Sequence, residues 1–141
     1  MAGIACRDRY FESEKVYGLT DFNFSAFLSQ FETILVMFYD SSDETSFCSS
    51  QQFSIAADKT KRKNHAYAAI DCFTSGYLCN KHGADTTPTF TMFSNGNKLG
   101  TITDAKRFNN KMMINFVETA PVLNEPVDEQ TPNMHLPAKF R

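Results

Sequence analysis

The stretch that decides the fold is Ile34 to Ala57, ILVMFYDSSDETSFCSSQQFSIAA. It opens with the apolar run Ile34 to Tyr39, which is typical of a buried β-strand. It closes with apolar residues at near-helical spacing, Phe53, Ile55, Ala56 and Ala57. A polar loop, residues 40–46, separates the two segments. A strand, a short loop and a helix N-terminus form a common place for chemistry in α/β proteins, because the free N–H groups of the first helical turn point outward there.

The rest of the chain extends this pattern into the order βαβαβαββα. Strands are predicted at Lys15–Leu19, Thr33–Tyr39, Ala66–Ile70, Thr89–Phe93 and Lys98–Ile102. Between the last two strands, Ser94-Asn95-Gly96-Asn97 predicts a tight hairpin turn, since Asn and Gly tolerate positive φ. Parallel strands need helical crossovers, so the sequence predicts an α/β fold with a central mixed sheet and helices on both faces.

Four helices are predicted from caps and apolar spacing. The first follows Thr20 or Asp21 and carries the apolar face Phe22, Phe24, Phe27, Leu28 and Phe31. The second follows the polar loop and ends near Lys63, and the third runs from Thr74 or Ser75 to about His82. The last follows Asp104 and carries Phe108, Met112, Met113, Phe116 and Val117.

Composition indicates one domain with short extensions. The chain has 141 residues, 42% of them hydrophobic, with a net charge of −2. Residues 1–14 are predicted to be a polar lead-in, residues 15–118 the folded domain, and residues 119–141 a Pro-rich tail or linker that is disordered. That tail has too little apolar surface to offset its ordering entropy.

The charge pattern excludes several classes of partner. The weakly acidic net charge does not favour nucleic acid or an anionic membrane surface. The single basic cluster, Lys59, Lys61, Arg62 and Lys63, is interpreted as a solvated helix C-terminus. The sequence contains no run of about 18 apolar residues, so it predicts no membrane-spanning helix. The N-terminus lacks the apolar core of a signal peptide, which leaves a cytosolic chain, a fragment or a mature form with an added Met.

The central stretch resembles the active-site segment of the protein disulfide-isomerase branch of the thioredoxin superfamily, which reads roughly L-V-x-F-Y-A-P-W-C-G-H-C-K-K-x-x-P-x-F-x-x-A-A. The positions that match without a gap are Leu35, Val36, Phe38, Tyr39, Phe53, Ala56 and Ala57. The resemblance covers about residues 15–118 and implies a thioredoxin-like fold.

The same register implies that the redox dithiol is replaced. Asp43 and Ser46 stand where the family has its two cysteines, and Ser42 stands where it has tryptophan. Asp43 is therefore predicted to be a helix N-cap. A serine nucleophile would need a neighbouring base. In this fold none of His65, His82 and His135 is expected near the loop, which disfavours a hydrolase.

Two further positions depart from the family pattern. Met37 replaces a buried acid that many relatives keep, although some active relatives also have an apolar residue there. Gln51 replaces a proline that kinks the helix, so this helix is expected to run straighter.

Thr87-Pro88-Thr89 matches the family's loop with a cis-proline facing the active site. In active relatives the backbone beside this proline pairs with an extended substrate peptide, a short form of strand addition. The resemblance therefore implies a peptide-binding site formed by Thr87 and Pro88 with Ser42 and Asp43. The alternative is that the proline only shapes its loop.

The four cysteines leave several interpretations open. Asp71-Cys72 to Cys79 resembles a structural disulfide of several family members, and Cys72 must then precede the third helix, because residues seven apart within a helix are about 10.5 Å apart along its axis. Zinc held by Cys72, Cys79 and His82 is a weaker alternative. Cys48 is either a reactive thiol or a small packed residue, and Cys6 is free to pair between chains.

The sequence thus predicts a redox-inactive member of the disulfide-isomerase family that binds extended peptide or unfolded protein, or a neighbouring domain or partner chain. No cofactor, metal, nucleic acid or membrane partner is expected. The Cys72–Cys79 bridge favours the endoplasmic reticulum lumen or secretion over the cytoplasm, where Asn23-Phe24-Ser25 would be a glycosylation acceptor. The alternatives are an oxidoreductase using Cys48, or Cys72 with Cys79, and a structural spacer.

Overall fold

The computed structural model describes residue 11 and residues 13–123. Its elements are β1 (Val16–Leu19), α1 (Phe24–Leu28), β2 (Thr33–Tyr39), α2 (Glu44–Lys59), β3 (His65–Asp71), α3 (Gly76–Lys81), β4 (Thr89–Ser94), β5 (Asn97–Ile102) and α4 (Asn110–Thr119). This is the order that the sequence predicts. No helix of the described residues combines the length and the apolar character that crossing a membrane would require.

The five strands form one mixed sheet in the order β1-β3-β2-β4-β5. β3 lies parallel to both β1 and β2, whereas β4 is antiparallel to β2 and to β5. Tyr39 pairs with Asp71, and Phe38 pairs with Thr89. The ends of β2 and β3 and the start of β4 therefore meet at one edge of the sheet, which we call the carboxyl edge.

Helices cover both faces of the sheet, as predicted, so every residue of β2 is buried. Leu35 and Met37 point into a core with Phe53 of α2 and Met113 of α4. Their neighbours along the strand point to the opposite face, where they meet apolar residues of α1 and α3. A strand buried on both sides reads as a continuous apolar run, which explains why β2 shows no alternation.

The first helix is shorter than predicted. It begins only after Asn23, whose side-chain Oδ1 accepts the Thr20 N–H at 2.8 Å. This local hydrogen bond replaces the predicted cap at Thr20 or Asp21 with a turn. Phe22 lies in that turn and is 97% exposed, so its assignment to the buried face is wrong.

The ends of α2 and α4 also differ from prediction. α2 ends at Lys59 rather than near Lys63, and Thr60 is its C-cap. α4 begins at Asn110, because the Asn109 side chain accepts the Met112 N–H at 3.0 Å. Asp104 instead lies in the preceding loop, where its carboxylate is 3.6 Å from the Arg107 guanidinium.

Residues at both ends of the described chain belong to the folded unit. Phe11 is 4% exposed and stacks edge-on against Tyr39, although the sequence assigned it to a loose lead-in. A single aromatic residue has no periodicity that could have shown this. After α4, the Leu123 N–H donates to Ser94 Oγ at 2.9 Å. Residues 124–141 of the predicted tail lie outside the described residues.

Candidate functional site

The site begins at the N-terminus of α2. Asp43 is extended, with φ −111° and ψ 120°, and its Oδ1 accepts the Thr45 N–H at 3.1 Å. The predicted N-cap at Asp43 is therefore confirmed. The cap occupies one oxygen of the carboxylate and leaves Oδ2 facing the loop before β4.

That loop carries the Thr87–Pro88 peptide bond, which is cis as the resemblance implied. The Thr87 hydroxyl donates to Asp43 Oδ2 at 3.2 Å, although 44 positions separate the two residues in sequence. Pro88 is buried and Thr87 is half-buried. The register of β2 against β4 causes this meeting, since it places the end of β2 beside the start of β4.

Ser46 lies beneath the surface of the site. Its side chain is 0% exposed, and its Oγ accepts the Asp40 N–H at 3.4 Å. A hydroxyl held inside the first turn of the helix has no access to a substrate. The structure therefore offers no serine nucleophile at this position.

The two described histidines lie elsewhere. His82 packs against Phe24, with ring centroids 4.8 Å apart, on the α1 and α3 side of the sheet. Burial, then the charges of Lys98 and Lys81, lower the pKa of His82. His65 stacks edge-on against Tyr67. His135 lies outside the described residues.

The loop after β2 is shaped by the side chains of Asp40 and Asp71, for which the sequence predicted no role in the site. Ser42 donates both its N–H and its hydroxyl to Asp40 Oδ1, at 2.8 and 2.6 Å. Asp71 Oδ1 accepts the N–H of Ser41 and that of Phe73, each at 3.0 Å. The signal available in the sequence was position, since each aspartate directly follows a predicted strand.

Cys72 and Cys79 form a disulfide with their Cα atoms 5.7 Å apart. Because α3 begins only at Gly76, Cys72 lies in the loop as the predicted bridge requires. The two sulfur atoms are bonded to each other, so the zinc alternative is wrong. Within the described part of the chain, no three His, Cys, Asp or Glu side chains are grouped as metal ligands would be.

Cys48 is exposed and is also disulfide-bonded, to a partner outside the described residues. It is therefore neither the free thiol nor the packed core residue that the sequence suggested. Cys48 borders a cleft of about 490 Å³ between α2 and the loop after β5. The walls of this cleft include Thr45, Gln52, Lys106 and Phe108.

Comparison with known proteins identifies the fold. No protein-family profile and no curated protein matches the sequence. Among solved structures, a mutant thioredoxin from Halobacterium salinarum matches 86% of this chain and 99% of its own, at 17% identity and a TM-score of 0.67. Human ERp44 matches 81% of this chain at 19% identity and a TM-score of 0.66, and the match spans 32% of ERp44.

Mitochondrial thioredoxin 3 from Saccharomyces cerevisiae is a third structural neighbour. It matches 73% of this chain and 93% of its own, at 15% identity and a TM-score of 0.62. Matches at such low identity establish the fold and no more. The chain has a thioredoxin-like fold, as the central stretch predicted.

Proposed function

We propose that this chain is a redox-inactive thioredoxin-like domain of the disulfide-isomerase family that binds extended peptide or unfolded protein in a chaperone-like or scaffolding role. One observation carries the proposal: the Asp43 carboxylate and the Thr87 hydroxyl meet at 3.2 Å beside a cis-proline. In the proposed function these two oxygen groups stand where the resemblance would place the dithiol site of an exchange enzyme.

The chemistry of these groups supports the loss of exchange activity. Disulfide exchange requires a thiolate, whose pKa the helix N-terminus lowers. The carboxyl group at position 43 caps the helix, and it does not attack disulfides. Ser46 is fully buried, so no second group is available to resolve a covalent intermediate.

The backbone beside Pro88 supports peptide binding. β4 starts at Thr89, and within the described residues the Thr87 N–H and C=O take part in neither the sheet ladder nor the loop hydrogen bonds. Unpaired backbone groups at the start of a strand suit strand addition by an extended peptide. Pro88, Asp43 and Ser42 would line the path of that peptide.

The disulfides favour an oxidising compartment. Cys72–Cys79 is a disulfide and Cys48 is disulfide-bonded as well. Disulfides persist mainly in the secretory pathway and outside the cell. We therefore favour the endoplasmic reticulum lumen or secretion, with peptide or a neighbouring protein as the partner, rather than nucleic acid or membrane.

Amide chemical shifts followed during peptide titration test the binding role. Peptide at millimolar concentration is expected to shift the amides of Thr87 and Asp43 before those of β1, which lies at the far side of the sheet order. Absence of any shift at Thr87 would favour a structural spacer and would contradict the proposal.

Insulin reduction tests the redox assignment. The native chain is expected to give no reduction above the blank. The double variant Asp43→Cys with Ser46→Cys is expected to gain activity, because it restores a dithiol at a helix N-terminus. The single variant Asp43→Cys, which lacks the second thiol, is the control.

The exposure of Cys48 favours one alternative, a thiol-disulfide oxidoreductase acting through that residue. An exposed disulfide is accessible to an attacking thiolate, whereas Cys79 is only 2% exposed, so the Cys72–Cys79 pair is less suited to exchange. Insulin reduction by the native chain that is lost in Cys48→Ser would establish this alternative and overturn the binding-only role.

A further inference from the structure

Exposed aromatic side chains gather at the carboxyl edge of the sheet. Among the described residues the exposed aromatic side chains are Phe22, Phe73 and Tyr77, which are 97%, 68% and 77% exposed. Phe73 and Tyr77 follow β3, and Phe22 follows β1. β1 pairs with β3 so that Leu19 lies opposite Ile70, which means that these segments leave the same end of adjacent strands.

Hydrogen bonds join this aromatic segment to the proposed peptide site. Asp71 Oδ1 accepts the N–H of Ser41, two residues before Asp43, and the N–H of Phe73. The Cys72 N–H donates to the Tyr39 carbonyl at 2.6 Å. The loops after β2 and β3 are therefore fixed side by side, and the aromatic segment continues the surface that begins at Asp43.

The disulfide fixes the segment from its other end. Cys72 directly precedes Phe73, and Cys79 follows Tyr77 by two residues, so one covalent loop carries both rings. Cys79 is a buried residue of α3, while the two rings remain in solvent. Because the covalent loop constrains the backbone beneath both rings, little backbone entropy is lost when a ligand covers them, which favours a binding role.

Charge indicates the ligand. The loops at residues 20–23, 40–43 and 71–75 contain Asp21, Asp40, Asp43 and Asp71 and no Lys or Arg. Lys81 lies in the last turn of α3. Lys106 and Arg107 lie after β5, on the opposite side of the sheet order. A cation beside Phe73 would lie near the Asp71 carboxylate, which accepts the Phe73 N–H, and near the face of an aromatic ring.

We propose that Phe73 and Tyr77 form an aromatic shelf that extends the peptide site. The ligand is an extended peptide in which an apolar side chain lies next to Lys or Arg. The peptide backbone pairs beside Thr87, its apolar side chain covers the shelf, and its cation lies near the acidic loops. This inference rests on the proposed function and names the class of peptide that the site takes.

Fluorescence anisotropy with the labelled peptide Gly-Ser-Lys-Phe-Lys-Ser-Gly tests the shelf. Phe73→Ser and Tyr77→Ser are each expected to weaken binding about threefold to tenfold, the range that one aromatic contact supplies. Met112→Ser is the matched control, because Met112 is 48% exposed on α4, away from the shelf. It is expected to bind as the native chain does.

Two altered peptides test the ligand class. Replacing the peptide's Phe by Ser is expected to weaken binding to the native chain and to abolish the difference between native and Phe73→Ser. Replacing both Lys by Glu is expected to weaken binding further, and added salt to weaken the Lys peptide most. Equal binding of the Lys and Glu peptides would overturn the proposed preference for cations.

The chemical shift of the Thr87 amide shows whether a negative result contradicts the shelf alone or the proposed function as well. If the peptide shifts the Thr87 amide and Phe73→Ser binds as tightly as native, the shelf is wrong and the peptide site remains. If no peptide shifts the Thr87 amide, both proposals are wrong. Circular dichroism of each variant shows whether the fold is retained, and exposed side chains of this kind are rarely needed for folding.

Discussion

At the scale of single residues, the two carboxylate oxygens of Asp43 accept different hydrogen bonds and so have different roles. Oδ1 caps α2 through the Thr45 N–H, and Oδ2 accepts the Thr87 hydroxyl. The first bond is local and stabilises the helix start. The second bond connects the start of α2 to the loop before β4. One side chain therefore caps the helix and also holds the two segments of the site together.

Substitution of Asp43 separates the two functions. Asp43→Ala is expected to lower the free energy of unfolding by about 1–2 kcal/mol, since it removes a cap and one side-chain hydrogen bond. Asp43→Asn, which is also a good cap, is expected to cost less than half as much. Urea unfolding measures both, and equal losses for Ala and Asn would contradict the capping role.

Thr60 and Tyr67 form a buried hydroxyl pair 2.6 Å apart. Thr60 Oγ1 also donates to the Ala56 carbonyl at 2.8 Å. A hydroxyl has one proton to donate, so Tyr67 must be the donor within the pair. Burial raises the pKa of Tyr67, which keeps that proton in place.

Removing each hydroxyl in turn is expected to give unequal effects. Thr60→Val leaves the buried Tyr67 hydroxyl without its acceptor and is expected to cost about 1–3 kcal/mol in the free energy of unfolding. Tyr67→Phe leaves Thr60 bonded to Ala56 and is expected to cost about 1 kcal/mol. Thermal or urea unfolding tests the order, and a larger loss for Tyr67→Phe would contradict the assigned donor.

His82 gives the domain a pH dependence of known sign. Its pKa is lowered in the folded chain by burial, then by Lys98 and Lys81. The unfolded chain therefore binds more protons just below pH ~6.5, the ordinary His value. Stability from this group is fully present above that pH and is lost as pH falls through the folded pKa.

Titration of the His82 ring by NMR is expected to give a pKa below that of a model peptide. Lys98→Gln is expected to raise this pKa part of the way back, because burial remains. His82→Gln is expected to flatten the dependence of the unfolding midpoint on pH in the same window. A His82 pKa at or above ~6.5, the ordinary His value, would contradict this account.

At the scale of elements, Arg62 connects the end of α2 to the end of α4. Its Nη1 donates to the Val117 and Ala120 carbonyls, both at 2.7 Å. The Val117 carbonyl also accepts the Ala120 N–H, at 3.4 Å. A cation at this helix C-terminus also suits the helix dipole. The sequence alone predicts a solvated basic cluster around Arg62, whereas in the structure Arg62 donates to two carbonyls at the end of α4.

Arg62→Met is expected to lower the free energy of unfolding by about 1–3 kcal/mol, because two charge-assisted hydrogen bonds are lost and the carbonyls remain. Lys63→Met is the matched control, since Lys63 is exposed in the same cluster. It is expected to change stability by less than about 0.5 kcal/mol. Equal effects of the two variants in urea unfolding would show that the hydrogen bonds of Arg62 do not stabilise the fold, and that Arg62 is only a solvated surface residue.

At the scale of the whole molecule, the sheet separates two apolar cores, and only one of them is next to the Cys72–Cys79 disulfide. Phe11, Phe53, Phe90 and Met113 form the core beneath α2 and α4. The other core lies beneath α1 and α3, and Cys79 belongs to it. The Cys72–Cys79 bridge therefore constrains the second face, which carries the shortest helices.

Replacing both cysteines, Cys72→Ser with Cys79→Ser, is expected to lower the free energy of unfolding by about 2–3 kcal/mol, the value for closing a loop of this length. The midpoint of urea unfolding measures the loss. The double variant leaves Cys48 unchanged, so it distinguishes this bridge from general reduction. A variant as stable as the native chain would show that the α3 face needs no covalent constraint.

Local sequence by itself determined the elements and their order. The apolar run gave β2 its bounds, Asp43 marked the start of α2, and Asn95 and Gly96 fixed the hairpin with φ of 48° and 86°. Each of these depends on contacts within a few residues, which is the range over which periodicity and capping act.

Only the tertiary structure decided what surrounds the site. The Asp43–Thr87 contact, the bond from the Ser41 N–H to Asp71 and the burial of Phe11 follow from strand register and packing. Local patterns cannot specify them, because each joins segments far apart in the chain whose meeting depends on how the whole sheet is assembled.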